Sequence, residues 1–240
     1  MAGILVQLLI SWVLLRAFEK QDLSALGLAP TNARVKDFVI GLLMPVVYFT
    51  VLFSALSYLG HNPYHANPNY TSKEFFVGVW YLLKSVAFEN LIFTGAILYI
   101  LIKRLGTTKA ALASAVAFGV YHWFSWNLFS QPTAMAVTFF TTGVAGFVWA
   151  LAFAKTASVY LPFSLHFGVD FVFSILFSQD KSLGPQLLIK TYEADPTSPG
   201  TAVSILMMAL YFLGFPVLTC LYLKTRKQKS GNTGLFPASE

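Results

Sequence analysis

Long apolar runs separated by short polar turns make up most of this chain. Seven can be drawn: Gly3–Phe18, Phe38–Gly60, Phe75–Ile102, Ala110–Phe129, Ala134–Ala154, Val159–Phe177 and Thr201–Leu223. A helix needs about 20 apolar residues to cross a bilayer, with a range of roughly 17–25. The pattern therefore predicts an all-α fold, a polytopic membrane helix bundle of about seven transmembrane helices. The first run is marginal in length, and the third is long enough to tilt or to include an interfacial turn. The first run is not a secretory signal by pattern, because its first charge, Arg16, follows the apolar stretch instead of preceding it. It reads as an anchor with its N-terminus outside.

Charge sharpens this picture. Only 11% of the 240 residues are charged and 56% are hydrophobic, whereas soluble domains carry about 25% charged residues. The net charge of +6 sits in clusters between apolar runs, which is a topology signal and not a nucleic-acid footprint. Seven spans place Arg16, Lys20, Arg34, Lys36, Lys103, Arg104, Lys109, Lys155, Lys224, Arg226, Lys227 and Lys229 on the cytoplasmic side. Lys73, Lys181 and Lys190 fall outside, and Lys84 lies inside a span. Residues 1–223 read as a single transmembrane domain and 224–240 as a basic, polar cytoplasmic tail suited to anionic headgroups. The expected location is an integral, multi-pass position in a membrane, the cell membrane if the source is prokaryotic, with the C-terminus cytoplasmic and the bilayer as first partner.

The outer loops carry little chemistry by pattern. Gly60–Tyr70, with His61, Asn62, Pro63, His65, Asn67 and Pro68, reads as turn-rich loop, so its two histidines are not expected to share a helical face. Ser178–Gly200 reads as a longer, mildly amphipathic loop ending in a breaker. The single cysteine, Cys220, lies in an apolar run with no partner for a disulfide or a thiolate metal site, and reads as structural.

Besides Arg16 at the end of the first run, five acidic, basic or histidine residues fall within the runs: Lys84, Glu89, His122, His166 and Asp170. A charge at the centre of a bilayer costs about 3 kcal/mol or more, so such residues are functional candidates. At 1.5 Å per residue, Glu89 lies about 21 Å before Lys103, His122 about 20 Å after Lys109 and His166 about 16 Å after Lys155. An acid and two histidines thus reach similar depth on different helices. His166 and Asp170 share a helical face, and Gly168 between them allows a neighbouring helix to approach closely. Asn90 and Thr94 form a polar pair four apart, as do Phe118 and His122 on another helix. Lys84, five before Glu89, is expected to snorkel. These groups could merely satisfy one another as interhelical hydrogen bonds. Their common depth favours a site, which on residues alone could be hydrolytic, a metal centre or a proton path.

Three of these stretches, Glu89-Asn90-Leu91-Ile92-Phe93-Thr94, Phe118 to His122 and His166 to Asp170, resemble the motifs of the CPBP family of intramembrane proteases. That family, which includes the type II CAAX prenyl endopeptidases, shows Glu-Glu-x-x-x-Arg, Phe-x-x-x-His and His-x-x-x-Asn/Asp on successive membrane helices. The flanks match as well: Phe93 and Gly95 around the first motif, and Leu161-Pro162-Phe163 before the third. The resemblance covers about residues 75–177. It departs at Asn90, where the second Glu is expected, and at Thr94, where the Arg is expected. Both charges are lost together, which leaves no stranded buried charge. The change reads as exchange of a supporting pair with the catalytic acid kept.

The resemblance implies an intramembrane endopeptidase, a hydrolase of the metallo- or glutamate type, acting on a membrane-associated peptide or protein. Glu89 and His122 would activate the water, and His166 with Asp170 would polarise the scissile carbonyl or stabilise its oxyanion. Asn90, Thr94 and Phe118 would support them. Ionised Asp170 only accepts hydrogen bonds, so orienting His166 suits it better than donating to an oxyanion. Zinc held by Glu89, His122 and His166 is a candidate cofactor, although no His-Glu-x-x-His helix is present. A serine mechanism using Ser125 with His122 lacks the Gly-x-Ser-x-Gly context. The other readings are a catalytically inactive membrane scaffold of the same fold, and a proton-coupled transporter. No internal repeat with paired broken helices supports the transporter.

Overall fold

The computed structural model describes residues 2–178, 186–190 and 199–226. The chain folds into helices α1 (Ala2–Glu19), α2 (Asn32–Leu59), α3 (Ser72–Phe93), α4 (Ala96–Leu105), α5 (Thr107–Ser125), α6 (Pro132–Thr156), α7 (Tyr160–Phe171), α8 (Thr201–Ala209) and α9 (Phe215–Thr225). A 3₁₀ turn, Leu23–Leu26, follows α1. One π-helical turn, Val172–Leu176, extends α7, and another, Leu210–Gly214, joins α8 to α9.

Among the described residues, five stretches are long and apolar enough to cross a membrane: Ala2–Glu19, Asn32–Leu59, Ser72–Leu105, Pro132–Thr156 and Thr201–Thr225. Helices α5 and α7, which the sequence also counts as spans, do not belong to this set. They bear His122, His166 and Asp170, and they are packed among the other helices, with α7 buried along Leu161, Pro162, Ser164, Leu165, His166, Phe167 and Gly168. By contrast α2 turns Leu43, Val47 and Val51, spaced four apart, outward, as expected of a lipid-facing stripe.

Two departures from the hydrophobic pattern have local causes. The third apolar run is not one helix. It stops at Thr94, whose N–H still bonds the Asn90 carbonyl (2.8 Å), and restarts at Ala96. A Cβ at position 95 would run into the Leu91 carbonyl oxygen, so the break needs glycine there. The depth of Glu89 counted along an unbroken helix to Lys103 is therefore corrected: Glu89 lies one turn before the end of α3.

The second departure is in the loops. Gly60–Tyr70 is not plain loop, because Tyr64–Ala66 (β1) pairs antiparallel with Leu188–Lys190 (β2), with Tyr64 opposite Lys190 and Ala66 opposite Leu188. Strands of three residues are too short to leave a period of two in the sequence. Tyr64 packs edge-on against Phe177, with centroids 4.8 Å apart.

This ribbon ties together the two loops that charge assigns to the outer side. At the opposite end, Glu19 pairs with Lys103 (3.2 Å) and Arg104 (3.4 Å), and buried Asp37 pairs with Arg226. The Leu26 carbonyl accepts from the Val159 N–H (3.1 Å), while the Ser158 hydroxyl donates to the Gly27 carbonyl (3.2 Å). The loops grouped by their positive charge are thus neighbours in space. Residues 191–198 of the second outer loop, Lys181, and residues 227–240 of the basic tail lie outside the described residues.

Small residues set the helix packing that places the site. Helices α2 and α7 run parallel in contact. A Cβ at Gly168 would come within 2.5 Å of the Pro45 ring and 2.9 Å of the Leu42 carbonyl oxygen. The α5–α6 hairpin closes similarly, with Gly146 against Phe118 and Gly119 against Phe139. A larger residue at 168 should therefore force α7 off α2. Gly168→Leu is expected to destabilise the protein by about 1–3 kcal/mol, read as earlier thermal unfolding in detergent. An unchanged midpoint would contradict the packing described.

Candidate active site

The site is assembled by α3, α5, α6 and α7 around the imidazole of His166. The capping box at the start of α3, with Thr71 and Glu74 bonding each other's backbone N–H groups, fixes where that helix begins. Glu89 and Asn90 lie near its other end. Gly168 brings α7 in, so that His166 and Asp170, one turn apart, both reach the cluster.

His166 is almost fully buried and each ring nitrogen has defined neighbours. Its Nε2 lies 3.4 Å from an Asp170 carboxylate oxygen and 3.7 Å from one of Glu89. Its Nδ1 lies 2.9 Å from the Asn90 amide nitrogen. That amide nitrogen also donates to the Val86 carbonyl (3.0 Å), and the Thr94 hydroxyl donates to the Asn90 side-chain oxygen (2.9 Å) or its backbone carbonyl (2.9 Å). Asn90 and Thr94 are both buried, and they form a neutral hydrogen-bonded pair where the resemblance led one to expect two charges. The polar atoms of both side chains are partnered, as burial demands.

His122 is also buried. Its Nδ1 lies 2.8 Å from the carbonyl oxygen of Phe118, one turn earlier on α5. A carbonyl can only accept, so Nδ1 carries the proton and Nε2 presents a lone pair. The Phe118 ring touches both histidines, 4.5 Å from His122 and 5.7 Å from His166 by centroids. Phe118 thus meets His122 through both its carbonyl and its ring. Glu89 has Ser85 as a hydrogen-bonding neighbour one turn back. Of the two carboxylates Glu89 is the more enclosed, with 15% of its side chain exposed against 36% for Asp170. Asp170 therefore marks the more open side of the cluster.

One part of the site carries no sequence signal. Trp149 of α6 stacks on the His166 ring, with centroids 3.9 Å apart and planes 18° from parallel. An aromatic residue inside an apolar run looks like any core residue, and only its partner gives it away. The other singled-out residues fall elsewhere. Lys84 sits over the Trp80 ring at 5.7 Å. Ser125 is exposed at the end of α5, while His122 is buried. His61 lies in a left-handed turn and His65 on β1, so no helical face joins them.

Among the described residues, no three His, Cys, Asp or Glu side chains are arranged to hold a metal ion. The chemistry of the donors points the same way. A metal-ligating histidine ordinarily donates its second ring N–H to an acceptor. His122 has such an acceptor in Phe118, but Nδ1 of His166 meets an amide N–H₂ group instead.

Residues 71–172 match the family model of the Rce1-like type II CAAX prenyl endopeptidases. Over that segment, somewhat less than half of its length, the chain is similar to the CAAX protease family. The match spans Glu89, Asn90, Thr94, Phe118, His122, Trp149, His166 and Asp170, the whole of the cluster described above. The family is one of intramembrane proteases, which agrees with the apolar helices of this chain. No curated protein and no solved structure matches the chain.

Trp149 is expected to hold His166 in place. Trp149→Ala should cost about 3–5 kcal/mol of stability, while Trp149→Phe, which keeps a stacking ring, should lose much less. Thermal unfolding of the two purified variants checks this, and equal losses would deny the stacking any special part.

Proposed function

We propose that this protein is an intramembrane endopeptidase which hydrolyses a peptide bond of a membrane-associated substrate. The observation that carries the reading is the meeting of Glu89, His166 and Asp170 beside His122, in the helices that match the CAAX protease family. Hydrolysis within a bilayer needs a water, a base for its proton and a donor for the oxyanion. The four side chains divide these tasks.

The water is held by Glu89 and by the Nε2 lone pair of His122. Glu89 takes its proton as the water oxygen attacks the scissile carbonyl carbon. The carbonyl π electrons move to oxygen, and the resulting oxyanion accepts a hydrogen bond from His166. When the tetrahedral intermediate collapses, the C–N bond breaks and the departing nitrogen takes the proton back from Glu89. The water oxygen stays in the new carboxylate. The Asp170 carboxylate, 3.4 Å from Nε2 of His166 in the resting site, orients that ring toward the centre, where the substrate oxygen takes the hydrogen bond from Nε2–H.

The enclosing helices keep bulk water away from Glu89, so its attraction to neighbouring charges is screened less than at a surface. Substrate would reach the cluster from its more open side, beside Asp170. We read the C-terminal end of the chain as cytoplasmic, by the positive-inside rule, and the cluster as lying between the two membrane faces.

The test is cleavage of membrane-anchored reporter peptides by the purified protein in lipid nanodiscs. Glu89→Gln and His122→Ala should each reduce turnover to background while their helical content and unfolding midpoints stay near those of the unmodified chain. Wild-type rates in both variants would refute the assignment. A chain that cleaves no reporter, yet whose cellular role is fully restored by Glu89→Ala, would instead be a membrane scaffold.

A further inference from the structure

We propose that Asn90 is a positioning residue that locks His166 as its Nε2–H tautomer, so that this histidine meets the reacting centre as a hydrogen-bond donor. The inference rests on the hydrolytic reading above for its consequence, but not for its geometry. The Asn90 amide nitrogen lies within hydrogen-bond distance of two atoms, the Val86 carbonyl oxygen (3.0 Å) and Nδ1 of His166 (2.9 Å). The carbonyl of Val86 can only accept. Turning the amide over would set two oxygens face to face at that distance, so the N–H₂ group belongs on this side. The Thr94 hydroxyl, 2.9 Å from the amide oxygen, supplies the donor which that oxygen requires. With an N–H₂ group before it, Nδ1 must present its lone pair. The ring proton is then on Nε2, between Asp170 and Glu89.

His122 is held the opposite way. The Phe118 carbonyl takes the proton on Nδ1 and leaves the lone pair on Nε2. Two histidines in one cluster thus have opposite polarity: His122 can accept a proton or a hydrogen bond, and His166 can donate one. The identity of residue 90 sets this division. A carboxylate at the same place, without the Arg that accompanies it in the family pattern, would accept from Nδ1 and draw the neutral ring's proton away from Nε2, giving the site two acceptors and no donor. It would also free Nε2 to ligate a metal, which the amide forbids. The trio Glu89, His122 and His166 therefore lacks one of the three nitrogen or oxygen ligands that a catalytic zinc ordinarily takes from protein.

The lock is read by long-range ¹H–¹⁵N correlation spectra of ¹⁵N-histidine-labelled full-length protein in nanodiscs. His61→Asn, His65→Asn and His122→Gln single variants assign the other three histidines by loss of their signals. His166 is expected to show an unprotonated Nδ1 and a protonated Nε2, and Asn90→Asp should exchange the two. A protonated Nδ1 in the unmodified chain overturns the proposal, as does a folded Asn90→Asp whose tautomer is unchanged. Should Asn90→Asp not fold, the spectrum of the unmodified chain decides alone. In cleavage assays Asn90→Asp should lower kcat by about 10²-fold with KM unchanged, the loss expected when one oxyanion donor is removed. A rise in KM with kcat preserved would mean that residue 90 acts on binding and would overturn the assigned role. Because the spectrum needs no turnover, failure of the lock and failure of hydrolysis are seen separately.

Discussion

A carboxylate among apolar helices has to be given partners, and the contact of Glu89 with His166 is the interaction on which the rest of this structure depends. Uncompensated, such a group would be expelled or would pull water in. Here it is met by an imidazole which is itself fixed by three neighbours: the Asp170 carboxylate, the Asn90 amide and the Trp149 ring. Each partner comes from a defined place on a packed helix, so the polar cluster and the apolar bundle specify one another. Moving α3 by one residue would separate Glu89 and Asn90 from His166 together.

The packing that makes this possible uses very small residues. Gly168 lets α7 lie against Pro45 and the backbone of α2, and Gly146 lets α6 reach Phe118. Without a hydrophobic drive between helices in lipid, close backbone approach is a principal source of association. The polar atoms of Asn90 and Thr94 are matched in turn. The Asn90–Thr94 pair satisfies itself and His166 without charge, which avoids the desolvation penalty of a buried ion pair. Glu89 therefore has an amide and a hydroxyl, not a second ion pair, beside it at the end of α3.

Much of this was legible in the sequence because it depends on spacing and type. His166 and Asp170 are four apart, and so are Asn90 and Thr94, and Phe118 and His122; all three pairs make the one-turn contacts that helical geometry requires. The apolar runs located the helices. What stayed hidden depends on context. The break at Thr94–Gly95 lies inside a continuous apolar run and is visible only as one glycine among sixteen. The β1–β2 ribbon joins residues more than a hundred positions apart, and Trp149 resembles any lipid-facing aromatic until its contact with His166 is known. The polarity of each histidine was likewise beyond reach, because it is decided by a carbonyl in one case and an amide in the other.

The central claim is that side chains alone carry out hydrolysis here, with His122 as acceptor and His166 as donor. The most direct measurement is turnover of a membrane-anchored reporter by protein whose metal content has been removed by chelation and verified by elemental analysis. The account predicts the same rate before and after metal removal, with no gain on adding zinc. Activity that vanishes with the metal and returns with one equivalent of zinc would contradict it.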